Sequence, residues 1–94
     1  MEDTTETSQS PDAVIAAGRD RIDELDRRII ALVSERVDVS VNVQRARLAA
    51  GGPRVQLARE MDVIARYREA LGKPGTSVAM TLLELCRGRV RPHA

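Results

Sequence analysis

The residue in this sequence that most calls for a chemical role is an arginine inside an apolar stripe. Arg36 occupies a position where the heptad spacing of residues 19–50 calls for an aliphatic side chain. Three of its four neighbours one helical turn away are apolar, namely Leu32, Val33 and Val39. A guanidinium keeps its positive charge, so its burial without an anionic partner is costly. Since no acid in the stripe supplies that partner, we infer a bound anion; the alternative is a carboxylate on another helix.

A second cation lies on the same helical face. Arg47 follows Arg36 by eleven residues, which places it about 20° around the helix and roughly 16 Å along it. Both guanidinium groups can therefore converge on one small ligand that lies over Ser40 and Val43. An alternative for Arg47 is its place near a helix C-terminus, where cations are favoured in any case. Arg19 lies about 100° from the Arg36 face, so it can join this site only from the partner chain of an antiparallel dimer.

Several kinds of chemistry have no candidate residues in this sequence. It contains no glycine-rich phosphate loop, no cluster of Cys or His for a metal, and no plausible nucleophilic triad. The single histidine, His93, is the penultimate residue. The sequence therefore predicts no metal and no cofactor, and assigns any catalysis to the position and charge of Arg, Glu, Gln and Ser.

The composition favours packed helices over a sheet. The 94 residues are 43% hydrophobic and 31% charged, and Tyr67 is the only aromatic residue, so the core must be aliphatic. Cys86 is the single cysteine, which excludes an internal disulfide and suggests a reducing compartment. The start of the chain resembles no signal peptide, and no apolar run approaches the ~20 residues of a membrane helix. We therefore expect a cytoplasmic protein without a membrane partner.

Charge gives little support for a nucleic-acid partner. Residues 1–12 hold four acids and no base, which leaves ten acids and fifteen bases in the remainder, a balance of +5. Nucleic-acid binders usually show a denser basic face and a recognisable motif. We therefore predict no nucleic acid among the partners of this chain.

The pattern predicts an all-α domain of three helices at residues 11–94, preceded by a disordered acidic leader at 1–10. Ser10, Pro11 and Asp12 form a typical helix N-terminus. The first helix should run from Pro11 to about Ala50, where Gly51, Gly52 and Pro53 stop it.

The second helix should span Val55 to Leu71, and the turn after it should occupy residues 72–75. Thr76 or Ser77 should cap a third helix, which is apolar nearly all round and should therefore pack against both others. The basic tail Arg87–Ala94 is expected to fray.

The first helix is too long for a compact chain of this size. About 39 residues form a rod of roughly 58 Å, whereas a 94-residue domain has a diameter of roughly 30 Å. The exposed apolar stripe of such a rod needs a second chain to cover it. We therefore predict an intertwined homodimeric helical bundle.

An ordered set of short motifs resembles a known family. The set comprises Arg19, Ile22, Leu25 and Asp26, then Leu32, Glu35 and Arg36, then Arg47, then Arg59 and Glu60, and a closing Thr81–Arg89. At this spacing it resembles the all-helical, AroQ-type chorismate mutases over about residues 18–91. The closing motif and short C-terminus resemble their small intracellular delta subclass.

The resemblance implies rearrangement of chorismate, a dianion, to prephenate without a cofactor. It implies a site of Arg36, Arg47, Arg59 and Glu60 from one chain, with Arg19 from its partner. In that family the residues matching Arg19 and Arg36 clamp carboxylates, and the residue matching Arg47 faces the ether oxygen. By the same resemblance, Arg59 helps to place the carboxylate and enol ether, and Glu60 accepts a hydrogen bond from the ring hydroxyl. Gln56, where several relatives carry an acid, is counted with the substrate-binding residues.

Two departures from the family bear on activity. Many relatives carry Lys at the position of Arg47, and longer relatives extend the third helix to supply a Gln that Pro92 would prevent here. Members of the delta subclass are typically weak alone and are activated by docking onto 3-deoxy-arabino-heptulosonate 7-phosphate (DAHP) synthase. The resemblance therefore implies DAHP synthase as a partner, and the tail Arg87–Ala94 is the predicted docking segment.

Other functions stay open at this point. The same fold could act as an isochorismate pyruvate lyase or an aminodeoxychorismate mutase. A non-catalytic dimeric adaptor or DNA-binding regulator is the alternative from another class.

Overall fold

The computed structural model describes residues 9–52 and 56–87, and this part of the chain is helical with no strand. Three helices follow one another: α1 at Pro11–Ala49, α2 at Leu57–Leu71 and α3 at Pro74–Cys86. The predicted all-α class and the number of helices are confirmed. The leader at residues 1–8 and the tail beyond Arg87 lie outside the described residues, as does Val55, the predicted start of α2.

The chain divides into two compact units, Met1–Leu32 and Val33–Ala94. In the first unit α1 begins as the sequence predicts, because the Ser10 hydroxyl accepts a hydrogen bond from the Ala13 backbone N–H at 3.1 Å. Every described residue of this unit is exposed. Its exposed large apolar side chains are Val14, Ile15, Ile22, Leu25, Ile29, Ile30 and Leu32.

The end of α1 is set by its glycines. Gly51 has a φ of 84°, a left-handed conformation that costs glycine little. The Gly51 N–H donates to the Leu48 carbonyl at 2.9 Å, and the Gly52 N–H donates to the Arg47 carbonyl at 2.8 Å. These bonds satisfy carbonyl groups that would otherwise lack a partner at the helix end. The helix ends at Ala49, one residue before the predicted bound.

The second unit has a small core between α2 and α3. Its buried apolar residues are Val63, Ala79, Leu82 and Cys86. Gly75 allows α3 to lie close to α2, because an added Cβ there would lie 2.7 Å from the carbonyl carbon of Tyr67 on α2.

The predicted turn at residues 72–75 is present, because the Gly75 N–H donates to the Gly72 carbonyl at 2.8 Å. The predicted cap at Thr76 or Ser77 is wrong. Helix α3 already begins at Pro74, with Lys73 as N-cap and no side-chain cap hydrogen bond. Proline at the first helical position has a suitable φ and needs no N–H partner, so the helix begins at Pro74, before Gly75, which the sequence analysis places in the turn. Thr76 and Ser77 therefore lie inside the first turns of α3.

The expectation that α3 packs against both other helices is also wrong within the described residues. Close backbone packing joins α2 and α3, and the part of α1 that belongs to this unit has none with either helix. Helix α1 meets α3 through the long side chain of Arg36 instead. As a result Val78, Met80 and Leu85 of the apolar α3 remain exposed.

None of the helices in these ranges combines the length and apolar character needed to cross a membrane.

Candidate active site

A cavity of about 290 Å³ lies within the unit Val33–Ala94. Its walls come from the second half of α1, the first half of α2 with the residue before it, and the end of α3. Apolar side chains form part of the lining, namely Val39, Val43, Val63 and Leu83. The polar and charged residues of the lining are Arg36, Ser40, Gln44, Arg47, Gln56, Arg59, Glu60, Cys86 and Arg87.

Helix α1 supplies one wall because its spacing repeats on one face. Arg36, Ser40, Val43 and Arg47 follow one another at intervals of four, three and four residues, so they share one side of the helix. All four line the cavity. The structure thus brings the two arginines of α1 to one cavity, over the two residues that the sequence placed between them.

The hydrogen-bond partner of Arg36 is a sulfur and not a carboxylate. The Arg36 side chain is half-buried, and its Nη1 donates a hydrogen bond to Cys86 Sγ at 2.9 Å. Within residues 9–52 and 56–87, the ion pairs are Arg21 with Glu24 and Arg87 with Glu60, so no carboxylate pairs with Arg36. The sulfur of a cysteine is a weak acceptor. The positive charge of Arg36 therefore remains uncompensated where it lines the cavity.

Arg47 reaches the cavity from the last turn of α1. A Cβ added at Gly52 would lie 2.8 Å from the Cγ atom of Arg47. The glycine that follows the helix thus leaves the space that the Arg47 stem occupies. A larger residue at position 52 would force that stem to move.

The start of α2 contributes three polar residues. Gln56 is the N-cap, with an extended backbone and no side-chain cap hydrogen bond. Arg59 and Glu60 follow in the first turn of the helix, and the Glu60 N–H donates to the Gln56 carbonyl at 3.1 Å. This helix start places an amide, a cation and a carboxylate along one wall of the cavity.

Glu60 is paired with the last residue that the structure describes. Arg87 Nη2 donates to Glu60 Oε1 at 2.8 Å, with 42% of the Arg87 side chain and 17% of the Glu60 side chain exposed. This distance is typical of a charge-assisted hydrogen bond.

The cavity has a strongly positive balance. Four arginines (36, 47, 59 and 87) and one carboxylate (Glu60) line it among the described residues, which gives a formal charge of +3. A positive cavity with apolar walls is suited to a small anion that also carries apolar surface. Groups of three or more His, Cys, Asp or Glu side chains that could hold a metal do not occur in the described part of the chain.

The structure brings together most of the residues singled out in the sequence, with one exception. Arg36, Arg47, Gln56, Arg59 and Glu60 all line the cavity. Arg19 lies in the other unit, is exposed, and is not among the lining residues. The chemical roles assigned to these six residues stay predictions.

Sequence reasoning missed the contribution of α3. The sequence analysis includes Cys86 and Arg87 in the closing motif, and Arg87 in the docking tail, but it gives neither a place in the site; both line the cavity. The sequence carries no local signal for this, because Cys86 is 50 residues from Arg36 and Arg87 is 27 residues from Glu60. Gln44, Val63 and Leu83 also line the cavity and were not singled out.

Comparison with known proteins gives consistent matches. Residues 18–84 match the family model described as chorismate mutase type II. The intracellular chorismate mutase of Mycolicibacterium smegmatis is 51% identical over 72 residues, which is 77% of this chain and 69% of that protein. The intracellular chorismate mutase of Mycobacterium tuberculosis is 50% identical over 72 residues, covering 77% of this chain and 68% of that protein.

A solved structure shows the same fold. It is the non-covalent complex of DAHP synthase and chorismate mutase from Corynebacterium glutamicum with bound transition state analog. One of its chains superposes on 85% of this chain with a TM-score of 0.79 and 35% identity, and 96% of that chain is covered.

Proposed function

Because this chain belongs to the chorismate mutase type II family and its activity is that of a chorismate mutase, we propose that the cavity described above binds chorismate and rearranges it to prephenate. The uncompensated charge of Arg36 is the observation that carries this assignment of the site. Its guanidinium has a thiol as hydrogen-bond partner and no carboxylate within the described residues. A dianionic substrate supplies the missing negative charge.

The chemistry of the cavity suits a pericyclic rearrangement. Such a reaction needs no nucleophile, acid or base, but it does need the substrate held in a compact conformation, which lowers the entropic part of the barrier. Negative charge develops on the ether oxygen as its C–O bond breaks, so a fixed cation beside that oxygen stabilises the transition state. Apolar walls at Val39, Val43 and Val63 lower the local dielectric and strengthen this interaction.

Each polar side chain then has a role in the proposal. Arg36 binds a substrate carboxylate through its planar fork, and Arg47 lies beside the ether oxygen. Arg59 and Gln56, from the start of α2, bind the carboxylate and enol-ether portion. Glu60 accepts a hydrogen bond from the ring hydroxyl.

The site of this proposal is completed by a second copy of the chain. Helix α1 has no buried residue over its 39 residues, and apolar side chains recur along its exposed first unit. Pairing two such helices in antiparallel orientation would cover these side chains and bring the partner's α1 towards the cavity. In this intertwined homodimer, Arg19 of the partner subunit binds the second substrate carboxylate.

Association with DAHP synthase is a further part of the proposal. The superposing chain, which is 35% identical to this one, comes from a complex of DAHP synthase and chorismate mutase. We expect weak activity of the chain alone and activation when the tail Arg87–Ala94 docks on the synthase. The relatives' names include the word intracellular, which supports a cytoplasmic location. In this proposal residues 11–94 form the catalytic domain, and residues 1–10 form an acidic leader.

The test is a set of turnover assays with purified protein. Loss of chorismate absorbance is followed with and without DAHP synthase, and isochorismate and aminodeoxychorismate are supplied separately. We expect turnover of chorismate, increased by the synthase. Turnover confined to either of the other two substrates would refute the proposal, and so would no turnover under both conditions. Light scattering at micromolar concentration checks the dimer, which a single-chain mass would contradict.

A further inference from the structure

The end of α3 contacts two walls of the cavity with consecutive side chains. Cys86 accepts the hydrogen bond of Arg36 on α1, and Arg87 donates to Glu60 on α2. Neighbouring residues on a helix point about 100° apart, so one turn can contact two different helices. The position of α3 therefore bears on both the cation and the carboxylate of the site.

We propose that Arg87 is a positioning residue, which holds the Glu60 carboxylate so that its second oxygen accepts a hydrogen bond from the substrate hydroxyl. This inference rests on the function proposed above. The ion pair uses Oε1 of Glu60, and Oε2 has no hydrogen-bond partner among the described residues. One oxygen is thus fixed by Arg87 while the other remains available as an acceptor.

The pair also keeps the positive charges of the other three arginines available for the substrate. A carboxylate placed beside several cations would be drawn to one of them, and the cavity contains three arginines besides Arg87. Those three are the groups that the proposal assigns to the substrate carboxylates and ether oxygen. Because Glu60 is paired with Arg87, its negative charge does not have to be neutralised by Arg36, Arg47 or Arg59.

Both members of the pair lie at helix ends whose backbone is hydrogen-bonded. Glu60 lies in the first turn of α2. Arg87 is the C-cap of α3, where its backbone N–H donates to the Leu83 and Glu84 carbonyls. Since α2 and α3 pack directly on each other, the pair joins two helices whose relative position is already fixed. We therefore expect its loss to affect the orientation of Glu60 and not the fold.

The experiment is a double-mutant cycle on the full-length chain. Arg87→Gln keeps most of the aliphatic stem and removes the charge, and Glu60→Gln removes the opposite charge. We expect Arg87→Gln to lower kcat/KM for chorismate by about tenfold, and to lower it by less than about twofold in the Glu60→Gln background. Arg87→Lys, which keeps a cation, should stay within about threefold of the unsubstituted chain.

Arg66→Gln is the matched control, because Arg66 is exposed on α2 and does not line the cavity. Its kcat/KM should equal that of the unsubstituted chain, and circular dichroism of all variants should show an unchanged helix content. An equal loss from Arg87→Gln in both backgrounds would overturn the inference, because it would mean that Arg87 acts independently of Glu60. Unchanged or increased activity of Arg87→Gln would also overturn it.

Failure of the proposed function is measured separately. The unsubstituted chain is assayed first with chorismate, and its turnover tests the proposed function without reference to Arg87. The same proteins are also titrated with prephenate in a calorimeter, which requires no turnover. We expect Arg87→Gln to bind prephenate about tenfold more weakly than the unsubstituted chain. In the Glu60→Gln background, the same substitution should weaken binding by less than about twofold. Equal affinities of Arg87→Gln and the unsubstituted chain would overturn the inference.

Discussion

Replacement of Arg36 by methionine separates a binding role from a structural one. Methionine has a similar unbranched stem and carries no charge. Arg36 is half-buried, contacts Cys86 through one hydrogen bond, and has no carboxylate partner in the described residues. Its removal therefore takes a cation out of an apolar stripe without leaving a buried acid unpaired.

The expected loss of activity follows from the bonds that a guanidinium can make to a carboxylate. Two parallel charge-assisted hydrogen bonds contribute about 1.5–3 kcal/mol each, or about 3–6 kcal/mol together. Each 1.36 kcal/mol corresponds to a factor of ten in rate. We therefore expect Arg36→Met to lower kcat/KM for chorismate by about 10²- to 10⁴-fold.

The free energy of unfolding of the same variant should not fall with its activity. The hydrogen bond lost is to a thiol, a weak acceptor, and a half-buried charge is costly to desolvate. We expect the free energy of unfolding to be unchanged or to rise by up to about 1 kcal/mol. Urea unfolding followed by circular dichroism measures this, with all variants at one protein concentration because a dimer unfolds in a concentration-dependent manner.

Arg45→Met is the matched control, since Arg45 lies on the same helix, is exposed, and does not line the cavity. Its turnover should match that of the unsubstituted chain. If Arg36→Met turned over chorismate within about threefold of Arg45→Met, our assignment of Arg36 to the substrate would be wrong. If Arg36→Met lowered the free energy of unfolding by more than about 2 kcal/mol, Arg36 would instead be a residue that stabilises the fold.

Two further predictions concern the backbone and the dimer. Gly75→Ala should lower the free energy of unfolding by about 1–3 kcal/mol, because the added Cβ meets the Tyr67 backbone. Gly18→Ala, a helix position with no atom within 4 Å of the added Cβ, should raise it by about 0.5–1 kcal/mol; equal effects in urea unfolding would contradict the packing described. Arg19→Ala and Arg36→Met should each be inactive alone, but mixed and re-equilibrated chains should recover about a quarter of the unsubstituted activity. At equal amounts, half of the dimers contain one chain of each variant, and one of the two sites in each such dimer has both Arg19 and Arg36 intact. No recovery on mixing would show that Arg19 does not act from the partner subunit.

Much of the fold could be predicted because its signals are local. Ser10 and Pro11 mark the start of α1 and Gly51 marks its end, and Ser10 and Gly51 do so through hydrogen bonds within four residues. The start of α3 was misplaced because two competing local signals, Pro74 as a first helical residue and Gly75 as a turn residue, lie side by side. The helix begins at Pro74, and Gly75 serves the close packing of α3 on the Tyr67 backbone, which depends on how α2 and α3 pack.

The candidate site was predictable to a similar extent. Arg36 and Arg47 could be placed on one face because helical periodicity fixes their relation over eleven residues. The approach of Arg59 and Glu60 to that face required the resemblance to a family, since no rule of spacing connects α2 to α1. The positions of Cys86 and Arg87 in the cavity lining were not predicted.

The sequence by itself determined that this chain is helical and that a permanent cation lies in an aliphatic stripe, because both follow from contacts one turn apart. The tertiary structure alone decided that Arg36 has a thiol instead of a carboxylate as its partner, and that Arg87 pairs with Glu60. These contacts span 50 and 27 residues. They depend on the packing of α2 against α3 and on the reach of long side chains from α1, which no local pattern encodes.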